Sequence, residues 1–189
     1  ATALELIKPE AVPLVHELNK SPTRFLSSKV FAASRTRREM VGLALIKMAT
    51  ADPAQAASQL ENKWAPQVHP EERDWVWGVI GRQAAQKLQP EANAYFGNVE
   101  RDRHLSDEHL EWKVRAALRA PKGTDWRNVR EAIGAMSEAS QAEPAWTYWK
   151  ARALLAARTP TEAQRAEAQK LLSAIAAPRR FYELLALGE

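Results

Sequence analysis

An internal repeat restricts the fold more than any other feature. Trp112-Lys113-Val114-Arg115-Ala116-Ala117-Leu118 is matched 37 residues later by Trp149-Lys150-Ala151-Arg152-Ala153-Leu154-Leu155, a shared W-K-x-R-A-x-L. A weaker copy begins 35 residues upstream, at Trp77, with Gly81 near the alanine position. Each strong copy runs on into a second amphipathic stretch, carried first by Val129, Ile133 and Met136 and then by Leu171, Leu172 and Ile175. Two helices about every 35 residues are the mark of an αα-solenoid. A single helix pair cannot bury its apolar stripe, so neighbours have to stack. Ala116, Ala117, Ala151 and Ala153 let helices approach closely, while the indoles fill the space between layers.

The remaining sequence agrees with this reading. Strand-like alternation and Asn-Gly or Asp-Gly turns are missing, and good helix formers fill most windows. The pattern predicts helices over 9–19, 22–33, 36–50, 53–62, 70–87, 90–98, 107–119, 124–138, 144–157, 160–176 and 178–187. Asp52-Pro53, His69-Pro70, Gln89-Pro90, Glu143-Pro144 and Thr159-Pro160 read as helix entrances, with Asp52 and Thr159 as N-caps. In the 160–176 segment Ala163, Ala168, Leu171, Leu172 and Ile175 are expected on one stripe. The expectation is an all-α fold, a right-handed αα-superhelix of about eleven short helices, forming one domain over 1–189.

Function classes narrow by what the sequence lacks. With no cysteine there is no disulfide framework, thiolate metal site or cysteine nucleophile. Neither GxGxxG nor GxxxxGK[ST] occurs, and no serine stands in a GxSxG elbow, so no cofactor is expected. The longest apolar run, Val41 to Ile46, stops at Lys47, far short of a membrane span. His104 and His109 are five apart, the wrong spacing for two ligands on one helical face, and no metal site is expected. Asp107 and Glu108, like Glu71 and Glu72, read as acids opening a helix, and His16 and His69 as surface or capping residues. A net charge of +4 favours acidic partners, but the basic residues are dispersed, the densest run being Arg35-Thr36-Arg37-Arg38. Nucleic acid is not expected.

Seven tryptophans, at 64, 75, 77, 112, 126, 146 and 149, are the most unusual feature. Trp112, Trp146 and Trp149, with Tyr182, are expected to be structural. Arg115 and Arg152 lie three residues beyond the repeated indoles, where they can cover the rings or line a binding face. With Arg179 and Arg180 they are the candidate ligand-binding residues.

From Glu111 to Gly188 the sequence resembles the superhelical N-terminal region of soluble lytic murein transglycosylases. The residues that carry the resemblance are Trp112 to Leu118, Trp126 to Val129, and Pro144-Ala145-Trp146-Thr147-Tyr148-Trp149-Lys150-Ala151-Arg152-Ala153-Leu154. An alanine-leucine helix, Ala168 to Ile175, and then Phe181-Tyr182-Glu183-Leu184-Leu185-Ala186-Leu187-Gly188 complete it. Residues 52–60 and 73–88 fit more loosely. The resemblance implies a bacterial periplasmic protein acting on peptidoglycan glycan strands. Enzymes of that family cleave the MurNAc-β-1,4-GlcNAc bond and leave a 1,6-anhydro product. Their glutamate acts as acid and then base in a lysozyme-like domain marked by E-S, G-L-M-Q and A-Y-N-A-G motifs. None of these stands here: Gly42-Leu43-Ala44-Leu45 lacks the M-Q, and Ala92-Asn93-Ala94-Tyr95 has the wrong order. The chain is therefore expected to be the non-catalytic helical scaffold of a longer enzyme, with that enzyme's own catalytic domain as a partner and no catalytic residue of its own. The alternative reading is a TPR-like adaptor that binds protein tails, although the repeat offsets and the missing Leu-Gly step depart from that pattern.

Overall fold

The computed structural model describes residues 9–28, 32–176 and 181–188. Among them there are twelve α-helices and no strand: α1 (Val12–Lys20), α2 (Pro22–Ser27), α3 (Arg35–Ala51), α4 (Pro53–Gln59), α5 (Pro70–Gln86), α6 (Ala92–Gly97), α7 (Asp107–Leu118), α8 (Trp126–Ala135), α9 (Glu138–Gln141), α10 (Pro144–Leu155), α11 (Glu162–Ile175) and α12 (Phe181–Leu187). The all-α expectation holds. The chain divides into two compact units, Ala1–His104 and Leu105–Glu189.

Helix starts follow local chemistry. Ser21, Ser34, Asp52, Ser106, Asp125, Ser137 and Thr161 each accept a hydrogen bond from the backbone N–H three residues on, satisfying a donor that the helix itself cannot. Prolines 22, 53, 70 and 144 occupy first-turn positions where a missing N–H costs little. The cap of α11 is Thr161 rather than Thr159. Gln164 reaches back to accept from the Thr161 N–H at 2.9 Å, completing a capping box with the Thr161 hydroxyl, although Thr159-x-x-Glu162 offers the same pattern two residues earlier. At Gln89-Pro90 the helix also starts late, at Ala92.

In the first unit α2 stops at Ser27, short of the expected 22–33, because a side chain distant in sequence takes its terminal carbonyls. Lys63 donates to the carbonyls of Leu26 and Ser28, both at 2.7 Å. Lys87 does the same for Thr50 and Ala51 at the end of α3 (2.7 and 2.8 Å), and Lys47 for Asn19 in α1. A lysine ammonium at a helix C-terminus satisfies orphan carbonyls and complements the negative end of the dipole. Lys63 is placed by one π-helical turn, Leu60–Trp64, which also buries the Trp64 indole completely. The expected 53–62 helix is thus α4 followed by that turn. The unit's core runs from Leu18 and Leu26 through Val41, Leu45 and Leu60 to Trp77 and Ile80.

In the second unit the principal packing joins α7 to α8, α8 to α10, α10 to α11 and α12, and α11 to α12. Contacts between elements near in chain order are how helical repeats bury their stripes. Val129, Ile133 and Met136 are buried as expected. In α11 the buried positions are Ala168 and Leu172, with Leu171 and Ile175 beside them, whereas Ala163 is exposed. At 100° per residue, position 163 lies well off the face set by 168 and 172. The expected 124–138 helix ends at Ala135 and is followed by the separate short α9.

Asp107 explains that interruption. Its carboxylate accepts from the Ser137 N–H (2.9 Å), the Ser137 hydroxyl and the Ser140 hydroxyl (2.7 Å), stapling the start of α7 to the start of α9. The Ser137 hydroxyl first, then the Ser137 N–H and the Ser140 hydroxyl, hold the carboxyl below its ordinary range. A depressed carboxyl contributes stability that is complete above the ordinary aspartate range, near pH 4, and is lost as pH falls through the lower folded value. Asp107→Asn is therefore expected to lower the urea midpoint at about pH 7 by the equivalent of about 1 kcal/mol. Wild type and variant should converge in acid; a gap that persists there would refute the staple.

Candidate functional site

The sequence-predicted arginines and aromatics of the second unit come together in two groups. In the first, the Arg115 guanidinium stands 5.0 Å from the centroid of Trp112, on its own helix, and 5.0 Å from that of Trp146, on α10. Glu111, one turn back on α7, accepts from Arg115 at 3.2 Å. A planar cation over two indole faces is favourable electrostatically and keeps water off the rings. Trp146 is buried, while Trp112 remains half-buried. Arg115 thus covers rings and keeps part of its guanidinium at the surface.

The second group is an aromatic cluster around Trp149. Its ring centroid lies 5.3 Å from Tyr148, 6.4 Å from Trp126 and 6.4 Å from Tyr182, and its Nε1 donates to the Tyr182 hydroxyl at 3.4 Å. Edge-on and tilted arrangements such as these suit the ring quadrupoles. Arg152 contacts Tyr148, not the Trp149 ring three residues before it: its Nη1 donates to the Tyr148 hydroxyl at 3.2 Å. Arg179 and Arg180 lie outside the described residues.

The first unit holds an arrangement not anticipated from sequence. Asp74, on α5, is completely buried, and its carboxylate accepts from the N–H groups of Glu100 (2.9 Å) and Arg101 (3.1 Å) and from His104 Nδ1 (2.7 Å). An ionised carboxylate can only accept, so Nδ1 carries the proton of this hydrogen bond. The signal that was available is an acid placed three and four residues before Trp77 and Gly78, both core positions. His109 is buried within α7, and His16 is exposed. His69 opens α5, its N–H bonded to Glu72 at 3.1 Å. Among the described residues no three metal-ligating side chains converge, and no helix is long and apolar enough to cross a membrane.

No protein-family model matches the sequence, and no curated protein matches it. Among solved structures, the chain is similar to lytic transglycosylase Slt of Pseudomonas aeruginosa, determined as an inactive mutant. The TM-score is 0.69 over 94% of this chain, at 23% sequence identity. The chain spans 28% of the length of that protein. At this level of identity the similarity is one of fold, and it extends to helices in both units.

Proposed function

We propose that this chain is the non-catalytic helical scaffold of a peptidoglycan lytic transglycosylase, a single scaffold domain working outside the bacterial cytoplasm, in the periplasm. The observation that carries the reading is the fold match, which takes in 94% of this chain but only 28% of a lytic transglycosylase. The W-K-x-R-A-x-L repeat and the Phe181-Tyr182 helix, read from sequence, point to the same family independently of coordinates. Bond cleavage then belongs to a catalytic domain that carries the E-S glutamate, and this chain contributes the stacked helices that restrict how a glycan strand approaches it. The net charge of +4 favours encounter with the carboxylates of peptidoglycan peptides, an attraction that salt weakens.

Sedimentation with purified sacculi tests the reading. The chain is expected to be retained at low ionic strength, to be released as salt rises, and to liberate no 1,6-anhydro product. No retention at low salt would remove the peptidoglycan-contacting role, and anhydro products formed by this chain unaided would remove the non-catalytic one.

A further inference from the structure

The first unit contains an open groove of about 770 Å³ between α3 and α5. Its floor is apolar and unusually exposed: Leu43 is 49% and Trp75 41% accessible. Around this floor stand Arg38, Glu39, Glu71, Glu72 and His104, with Glu39 paired to Arg35. The volume is that of a site for a small ligand or short peptide, whereas a stable protein interface needs a broader, flatter face.

Arg38 is the informative residue. The residue is half-buried at the groove, and its buried Nε has no hydrogen-bond partner among the described residues. Neighbouring cations are placed otherwise, with Arg35 bonded to Glu39 at 2.9 Å and Arg73 to Glu100 at 2.6 Å. A buried donor on a charged group costs free energy unless something completes it. An uncharged sugar hydroxyl accepts a single bond, while a carboxylate matches the guanidinium fork through two charge-assisted bonds. The carboxylates of Glu71 and Glu72 provide the opposite sign in the same groove. The imidazole of His104 is oriented by its hydrogen bond to Asp74 and presents its remaining ring edge at the groove.

We propose that this groove binds the peptide stems of peptidoglycan rather than its sugars. A stem carboxylate pairs with Arg38, a stem ammonium lies toward Glu71 and Glu72, and short apolar side chains rest on Trp75 and Leu43. The identity of the peptide rests on the scaffold reading above; the preference for a short zwitterionic peptide rests on the groove itself.

The test is titration of the intact chain, followed by tryptophan fluorescence and calorimetry, with two probes. One is a synthetic tetrapeptide ending in a free alanine carboxylate and carrying a diamino-acid ammonium; the other is chitotetraose, an uncharged N-acetylglucosamine oligomer. The peptide is expected to bind and chitotetraose not. Arg38→Gln and Trp75→Ala should each weaken peptide binding about tenfold, with Trp75→Phe restoring most of it and the urea midpoints of the folded variants close to wild type. The inference is overturned if the peptide does not bind, if Arg38→Gln binds it as well as wild type, or if chitotetraose binds and Trp75→Ala abolishes that binding. Sacculi retained while the peptide fails would leave the scaffold reading standing without this site. Peptide binding that depends on Arg38, with sacculi not retained, would do the reverse.

Discussion

Asp74→Ala is expected to destabilise the first unit by about 3 kcal/mol, the lower end of the range for removing one partner from a buried charge-assisted network. The aspartate is fully buried, and three donors converge on it: two backbone N–H groups and one imidazole N–H. Alanine leaves all three without their acceptor. Glu100 and Arg101 are themselves exposed, so water can recover part of their loss, which is why the estimate lies at the low end. Asp74→Asn keeps the shape and one acceptor oxygen but turns an amide donor toward groups that are donors already, and about half the loss is expected. The nearby Arg73–Glu100 ion pair has its glutamate 60% exposed, and Glu100→Gln should cost less than about 1 kcal/mol. Urea titrations of the three variants check the ordering. Equal effects of Asp74→Ala and Glu100→Gln would mean that the buried carboxylate does not hold the segment after α6 to α5.

Helix starts were legible in the sequence and helix ends much less so, for a reason visible in particular residues. A start is fixed by a side chain three residues from the N–H that it satisfies, as Asp52 is for Gln55, and one window contains both partners. The end of α2 depends on Lys63, 37 residues from the Leu26 carbonyl that it takes, and nothing local announces that contact. The end of α5 is set by Leu88 in a left-handed conformation (φ 57°), where glycine is the usual signal. Its neighbour Gln89 donates to the Ala84 carbonyl at 2.9 Å and closes the turn. The proline beside Thr159 favours that residue as a cap, whereas Thr161-x-x-Gln164 in the same window supplies both halves of the box.

The same distinction governs the sites. Arg115 over Trp112 is an i,i+3 contact and follows from spacing, but the second indole over that guanidinium, Trp146, comes from another helix. Arg152 has an identical spacing to Trp149 and goes instead to Tyr148, one turn behind it, where the hydroxyl offers an acceptor that an indole lacks. Arg38, Trp75 and His104 lie 37 and 29 residues apart in sequence and meet only because α3 packs on α5. Asp107 opens α7 as its place in the sequence implies, while its second role, receiving Ser137 and Ser140, requires α9, which no periodicity reveals.

The tightest packing constraint is at Gly81, and it yields a prediction whose sign changes with context. The residue four positions after each repeated tryptophan is small and buried: Gly81, Ala116 and Ala153. At Gly81 even a methyl group does not fit, since a Cβ would stand 2.8 Å from Cγ and Cδ2 of Phe96, whose ring is completely buried. Placing alanine in a helix interior gains up to about 1 kcal/mol over glycine, whereas forcing a packed ring aside costs about 1–3 kcal/mol. Gly81→Ala is therefore expected to be net destabilising by about 1–2 kcal/mol, and Gly81→Val by more. Phe96→Ala alone should cost about 3–5 kcal/mol through lost burial and the cavity left behind. In that background the obstacle to a methyl group is gone, so Gly81→Ala should become neutral or stabilising, with a coupling of about 2 kcal/mol in the double-mutant cycle. Phe96→Leu provides a milder background in which the same reversal should begin. If Gly81→Ala destabilises equally whether or not the Phe96 ring is present, contact between α5 and α6 is not what requires glycine at this position.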